Sequence, residues 1–372
     1  MSFISFDLER WQSTWENRVR FNLSESGVHP LSIHELLTLS GTAAEELTEL
    51  RMHYSQSDGT ETLKQAIAAH YVGATPEHVT VTVGSSEANF VTCWTLVSPG
   101  DHVAILTPTY MQTHGLVQNF GAVVSEFPLR MDAGWEPDPA DIRQAIAPGT
   151  KLVIVTAPNN PTGHVLSEEA RSSILDRTQE VGAWLLADEV YQGAERNGTT
   201  TPSFWGTYDK TIVVNGLSKA YGLPGLRIGW IIAPPAFKAE VVRRHDYTVI
   251  GPGPASDFLA HLALLQRERI FTRTRGILNT NLPLLEGWLN EFDGLFEWRP
   301  PDCGAICYVR YDRAPSALDL VERVRAESSI LLVPGEHFNQ PRYLRLGYGN
   351  ERGELEEALQ ELGPVLRRIL GA

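Results

Sequence analysis

Cysteine is scarce in this chain: 372 residues hold three, Cys93, Cys303 and Cys307. Three cannot build a disulfide framework, and none stands beside a histidine cluster at zinc-ligand spacing, so a reduced cytoplasmic protein with no metal centre is expected. Positive charge is also in short supply. Lys and Arg number 31 against 45 Asp and Glu, for a formal net charge of −14, which argues against nucleic acid as a main partner and fits solubility. No run approaches the ~18 apolar residues that span a bilayer. Met1 to Trp11 lacks the basic-then-apolar order of an export leader, so no membrane partner is expected. Without such a signal, the glycosylation-type triplets at Asn22-Leu23-Ser24 and Asn197-Gly198-Thr199 carry no meaning. Internal repeats and low-complexity linkers are absent too.

What is present is globular: 42% hydrophobic and 20% charged residues, in a chain longer than one ordinary core. Strand-like runs fall at Val79–Val83, His102–Leu106, Ala122–Pro128, Leu152–Thr156, Trp184–Ala187, Thr211–Asn215 and Arg227–Ala233, separated by helix-length periods. That alternation predicts an α/β fold, a mostly parallel seven-stranded sheet covered by helices on both faces. After Gly253 a long helical stretch from Ala255 to about Phe292 leads into short strands at Gly304–Arg310, Ile330–Val333 and Arg342–Leu346. The expected division is a large domain over residues 41–253 and a smaller α+β domain from residues 1–40 and 254–372. The site should lie between them.

The most informative stretch is Ser218-Lys219-Ala220-Tyr221-Gly222-Leu223-Pro224-Gly225-Leu226-Arg227-Ile228-Gly229-Trp230, one lysine after an apolar run and one arginine eight residues later. A lysine that attacks an aldehyde must be neutral, and a semi-buried Gly/Leu-rich setting is expected to lower its pKa by desolvation. Taken alone, the stretch also fits a surface lysine at a strand end. Three further segments argue for chemistry. Thr156-Ala157-Pro158-Asn159-Asn160-Pro161-Thr162-Gly163 is a turn at the C-terminal end of a strand, where open α/β sheets hold ligands. Trp184 to Tyr191 is an apolar strand ending in Asp188, with the Tyr191 phenol three residues on. A carboxylate buried there needs a cation or a proton. Val79 to Ala88 runs from a strand through Gly84-Ser85-Ser86 into a helix, whose N-terminal N–H groups and hydroxyls suit a phosphate.

Together these segments resemble, in order and approximate spacing, the fold type I pyridoxal phosphate enzymes, the aspartate aminotransferase superfamily of class I and II aminotransferases. The resemblance runs from about Phe21 to Asn350. It implies pyridoxal 5'-phosphate as cofactor, an L-α-amino acid as substrate, and an opening sequence of external aldimine formation followed by Cα deprotonation by Lys219. It makes Asp188 the partner of the pyridine nitrogen, with Tyr191 and Asn160 bonding the ring's 3-oxygen and Tyr110 stacking on the ring. Ser85, Ser86, Ser218 and Arg227 would hold the phosphate, and Arg345 would take the substrate carboxylate through a bidentate fork. Tyr54 matches a tyrosine that reaches a phosphate across a dimer interface, which implies a homodimer with shared active sites. Gly216 departs from the pattern, because many members carry a Ser or Thr there against the phosphate.

A finer resemblance, through Leu23-Ser24-Glu25-Ser26-Gly27-Val28-His29, Gly84 to Ala88, Leu217 to Trp230 and Val333 to Gln340, is to the capreomycidine synthase branch. Enzymes of that branch act on hydroxylated arginine, expel the hydroxyl as water and close a ring through a guanidino nitrogen. That chemistry needs a second deprotonation, at Cβ, and a pocket for a guanidinium. Gly27 and Asn160 would then touch substrate, Glu25 could pair with the guanidinium, and His29 could serve as the extra base; a surface acid and a solvated loop histidine are the plainer readings of those two. Asp188-Glu189-Val190-Tyr191 reads instead like an ordinary aminotransferase, so amino exchange with an α-keto acid stays open as the alternative. Trp11, Trp15, Trp94 and Trp230 are read as packing. A DNA-binding regulator on this fold would need an extra basic domain before a body that here is expected to start near Phe21.

Overall fold

A computed structural model describes residues 3–371. Its main sheet has the strand order Val79–Thr82, Gly229–Ile232, Thr211–Gly216, Trp184–Asp188, Thr150–Thr156, His102–Thr107, Val123–Arg130 and Glu136–Pro137. The seven strands read from the sequence are all there. The eighth, Glu136–Pro137, is a two-residue extension antiparallel to Leu129–Arg130. The five strands from Thr211–Gly216 to Val123–Arg130 are parallel neighbours, and Gly229–Ile232 runs antiparallel to both of its own. Near-continuous Val, Ile, Leu and Ala in these strands reflect burial on both faces: Ile154, Leu185, Leu186, Val213 and Val214 are at most 1% exposed.

A second, four-stranded antiparallel sheet orders Phe296–Trp298, Ile306–Tyr311, Tyr343–Gly347 and Val333–Pro334. Phe296–Trp298 is not legible in the sequence, because three residues at a sheet edge show too little alternation to register. The long helical stretch is two helices, Pro254–Leu265 and Arg267–Asn290. They break at Gln266, whose φ of −104° and ψ of 16° leave the helical region. Near the start of the chain, Phe21–Asn22 pairs in parallel with Ile330–Leu331. The first helix, Asp7–Trp15, buries Leu8 and Trp11. Trp11 Nε1 donates to the Leu332 carbonyl at 2.8 Å, and Arg325 lies 3.6 Å over the Trp15 ring. The neighbouring face of that helix, with Glu9 and Gln12, lines the cleft.

Candidate active site

The Ser85, Tyr110, Asn160, Asp188 and Lys219 motifs sit at the C-terminal end of a main-sheet strand or just beyond it, whereas Arg345 lies on the second sheet. Thr156 and Asp188 are register partners on adjacent strands, and Asp188 faces Val214 on the next. The chain leaves that third strand at Gly216 and reaches Lys219 three residues later. This edge borders a cleft of about 320 Å³. Ser85, Ser86, Ser218 and Arg227 line one part of it, Asp188, Tyr191, Asn160 and Tyr110 the middle, and Lys219, Arg345 and Glu25 the rest.

The Ser85, Ser218 and Arg227 end depends on glycines. Gly84 has φ +80°, and a Cβ there would come within 2.5 Å of Arg227 Nη2. A Cβ at Gly229 would meet Ser85 N and fall 2.5 Å from the Gly84 carbonyl carbon. The helix Ser85–Leu96 can therefore set its first N–H groups against the strand end and under the arginine only because side chains are missing at both places. Gly216 belongs to the same contact: its Cβ would lie 3.0 Å from the Ile228 carbonyl oxygen and 3.2 Å from Gly229 Cα. The serine or threonine expected there from the resemblance would crowd the antiparallel partner strand. Arg227, with φ 52°, donates from Nη1 to the Pro224 carbonyl at 3.0 Å and to Ser218 Oγ at 3.5 Å.

In the middle of the cleft, Asp188 is 4% exposed and has no cationic partner among the described residues. Asn89 Nδ2 donates to its Oδ2 at 2.9 Å and the Val190 N–H to its Oδ1 at 3.2 Å. Burial nonetheless pushes its carboxyl above the usual range. The Tyr191 hydroxyl is buried with no hydrogen-bond partner among the described residues. Tyr110 Oη donates to Glu9 Oε1 at 2.6 Å. Arg345 is 1% exposed; its Nη1 donates to Asn160 Oδ1 at 2.9 Å, its Nη2 to the Ser24 carbonyl at 2.6 Å, and its buried Nε has no partner.

Lys219 corrects two expectations. Its Nζ donates to Glu25 Oε1 at 2.8 Å, and the same oxygen accepts from the Ser26 and Gly27 N–H groups at 2.8 and 2.9 Å. Burial alone would lower the lysine's pKa, but the attraction of Glu25, then of Tyr191, outweighs it, and the pKa is raised. The carboxylate responds in kind: Lys219 draws Glu25 down to about 2, burial opposing. Glu25, its side chain 40% exposed, is thus not free for a guanidinium but is tied to the lysine. His29 is not brought to the cleft. It faces away, where Arg273 Nη2 lies 3.0 Å from Nδ1, and burial followed by Arg273 lowers its pKa. Tyr54 is 89% exposed and also stands off this cleft. Gly27 lies beside it; a Cβ there would be 3.2 Å from the Ser218 carbonyl oxygen and 3.6 Å from Lys219 Cδ.

The sequence reading missed Asn89, which orients Asp188 from one turn into the helix after Ser85. It also missed Glu9, Gln12 and Glu16, which line the cleft from the end of the first helix. Their spacing of three and four residues was the available signal, a polar stripe alongside Leu8, Trp11 and Trp15.

An unpartnered buried phenol, a buried carboxylate without a cation, a glycine-cleared helix N-terminus under an arginine, and an amine between them are a donor set suited to pyridoxal phosphate. Fold and cleft together define an enzyme of the pyridoxal phosphate-dependent, aspartate aminotransferase-like class. The chain belongs to the aminotransferase class I and II family, whose description it matches over residues 31–362. It is 32% identical over 367 residues to capreomycidine synthase of Streptomyces vinaceus, covering 97% of this chain and 94% of that protein. A PLP-dependent aminotransferase from Streptococcus suis superposes with a TM-score of 0.93 at 34% identity, over 99% of both chains. The PLP-dependent cyclase OrfR superposes with a TM-score of 0.91 at 29% identity, over 99% of this chain and 98% of that one. The cofactor is pyridoxal 5'-phosphate, as the family requires. Among the described residues no helix is long and apolar enough to cross a membrane.

Proposed function

We propose that this enzyme dehydrates and cyclises a hydroxylated guanidino amino acid, in the manner of a capreomycidine synthase. Asp188 would hold the ring nitrogen of pyridoxal phosphate, Tyr191 and Asn160 its 3-oxygen, and Ser85, Ser86, Ser218 and Arg227 its phosphate; the group would supply an electron sink that acidifies the substrate Cα–H. Tyr110 would flank the ring. Asn89 and the Val190 N–H hold the Asp188 carboxylate in place, so it meets a cationic ring nitrogen without rearranging. Arg345, with its free Nε and an amide partner in Asn160, receives the α-carboxylate. Lys219 takes the Cα proton.

The observation that carries the reading beyond amino exchange is Glu25, a carboxylate anchored by two backbone N–H groups at hydrogen-bond distance from the catalytic amine. Transamination needs one acid–base group at Cα. Loss of a side-chain hydroxyl followed by ring closure needs more proton transfers: the departing oxygen takes a proton to leave as water, and the closing nitrogen gives one up. Glu25 supplies that second group. Once Lys219 is neutral, the attraction that lowers the Glu25 carboxyl is gone, which raises its proton affinity and suits it to relay protons. The capreomycidine synthase and cyclase likenesses support the same reading. The aminotransferase likeness keeps amino exchange as the second reading.

Mass spectrometry of cofactor-loaded enzyme incubated with β- or γ-hydroxyarginine tests the proposal. A product lighter by one water, with every nitrogen retained and no keto acid required, is expected; a keto product formed only with an added α-keto acid would favour the second reading. For Arg345→Ala the expected result is a KM for α-carboxylate substrates raised about 10- to 100-fold with cofactor affinity little changed. An unchanged KM would move the carboxylate site elsewhere. Exposed Tyr54 is available to a second copy, consistent with a homodimer sharing its active sites.

A further inference from the structure

The cleft's charges do not balance once the amino-acid site is filled. Its lining holds three cations, Lys219, Arg227 and Arg345, and four carboxylates, Glu9, Glu16, Glu25 and Asp188. Arg227 is matched by phosphate, Arg345 by the substrate carboxylate and Asp188 by the ring nitrogen, while Lys219 must become neutral to work. Three carboxylates then remain with no cation among the cleft-lining residues. Glu25 is fixed by Ser26 and Gly27, and Glu9 accepts from Tyr110. The Glu16 carboxylate has neither a hydrogen bond nor an ion pair among the described residues.

Glu9, Gln12 and Glu16 project from one face of the first helix and its C-terminal cap, and that face is held in place. Gln12 Nε2 donates to the Ser24 carbonyl at 2.9 Å and to Ser24 Oγ at 3.2 Å. The Ser24 carbonyl also accepts from Arg345 Nη2, so the residue that receives the carboxylate and the helix that bears the acids share one anchor. Arg345, proposed above to receive the carboxylate, lines the same cleft and keeps a buried Nε without a hydrogen-bond partner among the described residues.

We infer that the Glu9–Gln12–Glu16 face is the specificity wall of the substrate pocket, with Glu16 receiving the guanidinium at the far end of the side chain. The inference rests on the amino-acid site proposed above and not on ring closure. A planar guanidinium can donate in pairs to a carboxylate, which an ammonium cannot, and a neutral urea brings no charge to offset the acids. Burial, then Glu25, then Glu9 hold Glu16 above the ordinary carboxylate range, with Lys219 opposing. Affinity for the cation is therefore present above that raised pKa and fades as pH falls through it, at a less acidic pH than an ordinary glutamate would give.

The test is a titration of cofactor-loaded enzyme with L-arginine, L-lysine and L-citrulline, read as the change in cofactor absorbance and repeated by calorimetry. Wild-type enzyme is expected to bind arginine about 10- to 100-fold more tightly than citrulline, the range of a charge-assisted hydrogen bond, with lysine between them. In Glu16→Gln, arginine should weaken to near the citrulline level while citrulline itself is unaffected, which also shows that the variant is folded. Equal binding of arginine and citrulline by wild type, or a preference that survives in Glu16→Gln, overturns the assignment. Failure of hydroxyarginine to cyclise, with the arginine preference intact, would remove the cyclase reading and leave the wall in place.

Discussion

Lys219→Ala is expected to lower Cα proton exchange by at least ~10³-fold, since it removes both the covalent anchor and the base at Cα. Borohydride reduction followed by peptide mapping should find the cofactor on the Lys219 peptide of wild type and on no peptide of the variant. The fold should survive, because the lysine lines a cleft and Glu25 is its one side-chain partner among the described residues. The variant leaves Glu25 without its strongest acidifying neighbour, so the pKa of that carboxyl should rise. Normal exchange in Lys219→Ala would remove the lysine from the mechanism altogether.

Glu25→Gln separates the two readings of the enzyme. Glutamine keeps an acceptor for the Ser26 and Gly27 N–H groups and for Lys219, so the loop should hold its shape, but it cannot carry a proton back and forth. Under the cyclase reading, exchange of the Cα proton with solvent deuterium should stay within a few-fold of wild type, while water loss from a hydroxylated substrate falls by about 10² to 10⁴, the usual worth of a general acid–base group. Parallel loss of both rates would instead mark Glu25 as a partner that merely positions Lys219. Unchanged rates of both would leave the second proton transfer without a carrier.

Much of this site is legible from the sequence because its parts are local. A strand whose end or following turn carries a candidate site residue recurs at Ser85, Tyr110, Asn160, Asp188 and Lys219, and each such unit can be read without knowing what packs on it. Gly84 and Gly229 are legible as glycines but not in purpose; their role appears only when the Ser85 helix and the Gly229 strand are seen to touch. The Lys219 environment was misjudged for a related reason. An apolar neighbourhood in sequence predicts a lowered pKa, but the decisive neighbour is Glu25, 194 residues away in the chain. His29 shares a segment with Glu25 yet turns toward Arg273, since four residues of irregular chain do not fix which side chain faces inward. The first helix showed its Trp11 and Trp15 packing side plainly enough. That its other side would face a cleft built mostly from residues far along the chain follows only from Trp11 bonding to Leu332 and Gln12 to Ser24.

The central claim, that the amino group stays on the substrate while the side chain loses water and closes, is tested most directly by labelling that nitrogen. Cofactor-loaded enzyme would be given hydroxyarginine carrying ¹⁵N at the α-amino group, together with an unlabelled α-keto acid, and the label followed by mass spectrometry. Label retained in a cyclic product lighter than the substrate by one water is the predicted result. Label recovered in an amino acid made from the keto acid would contradict it and establish amino exchange.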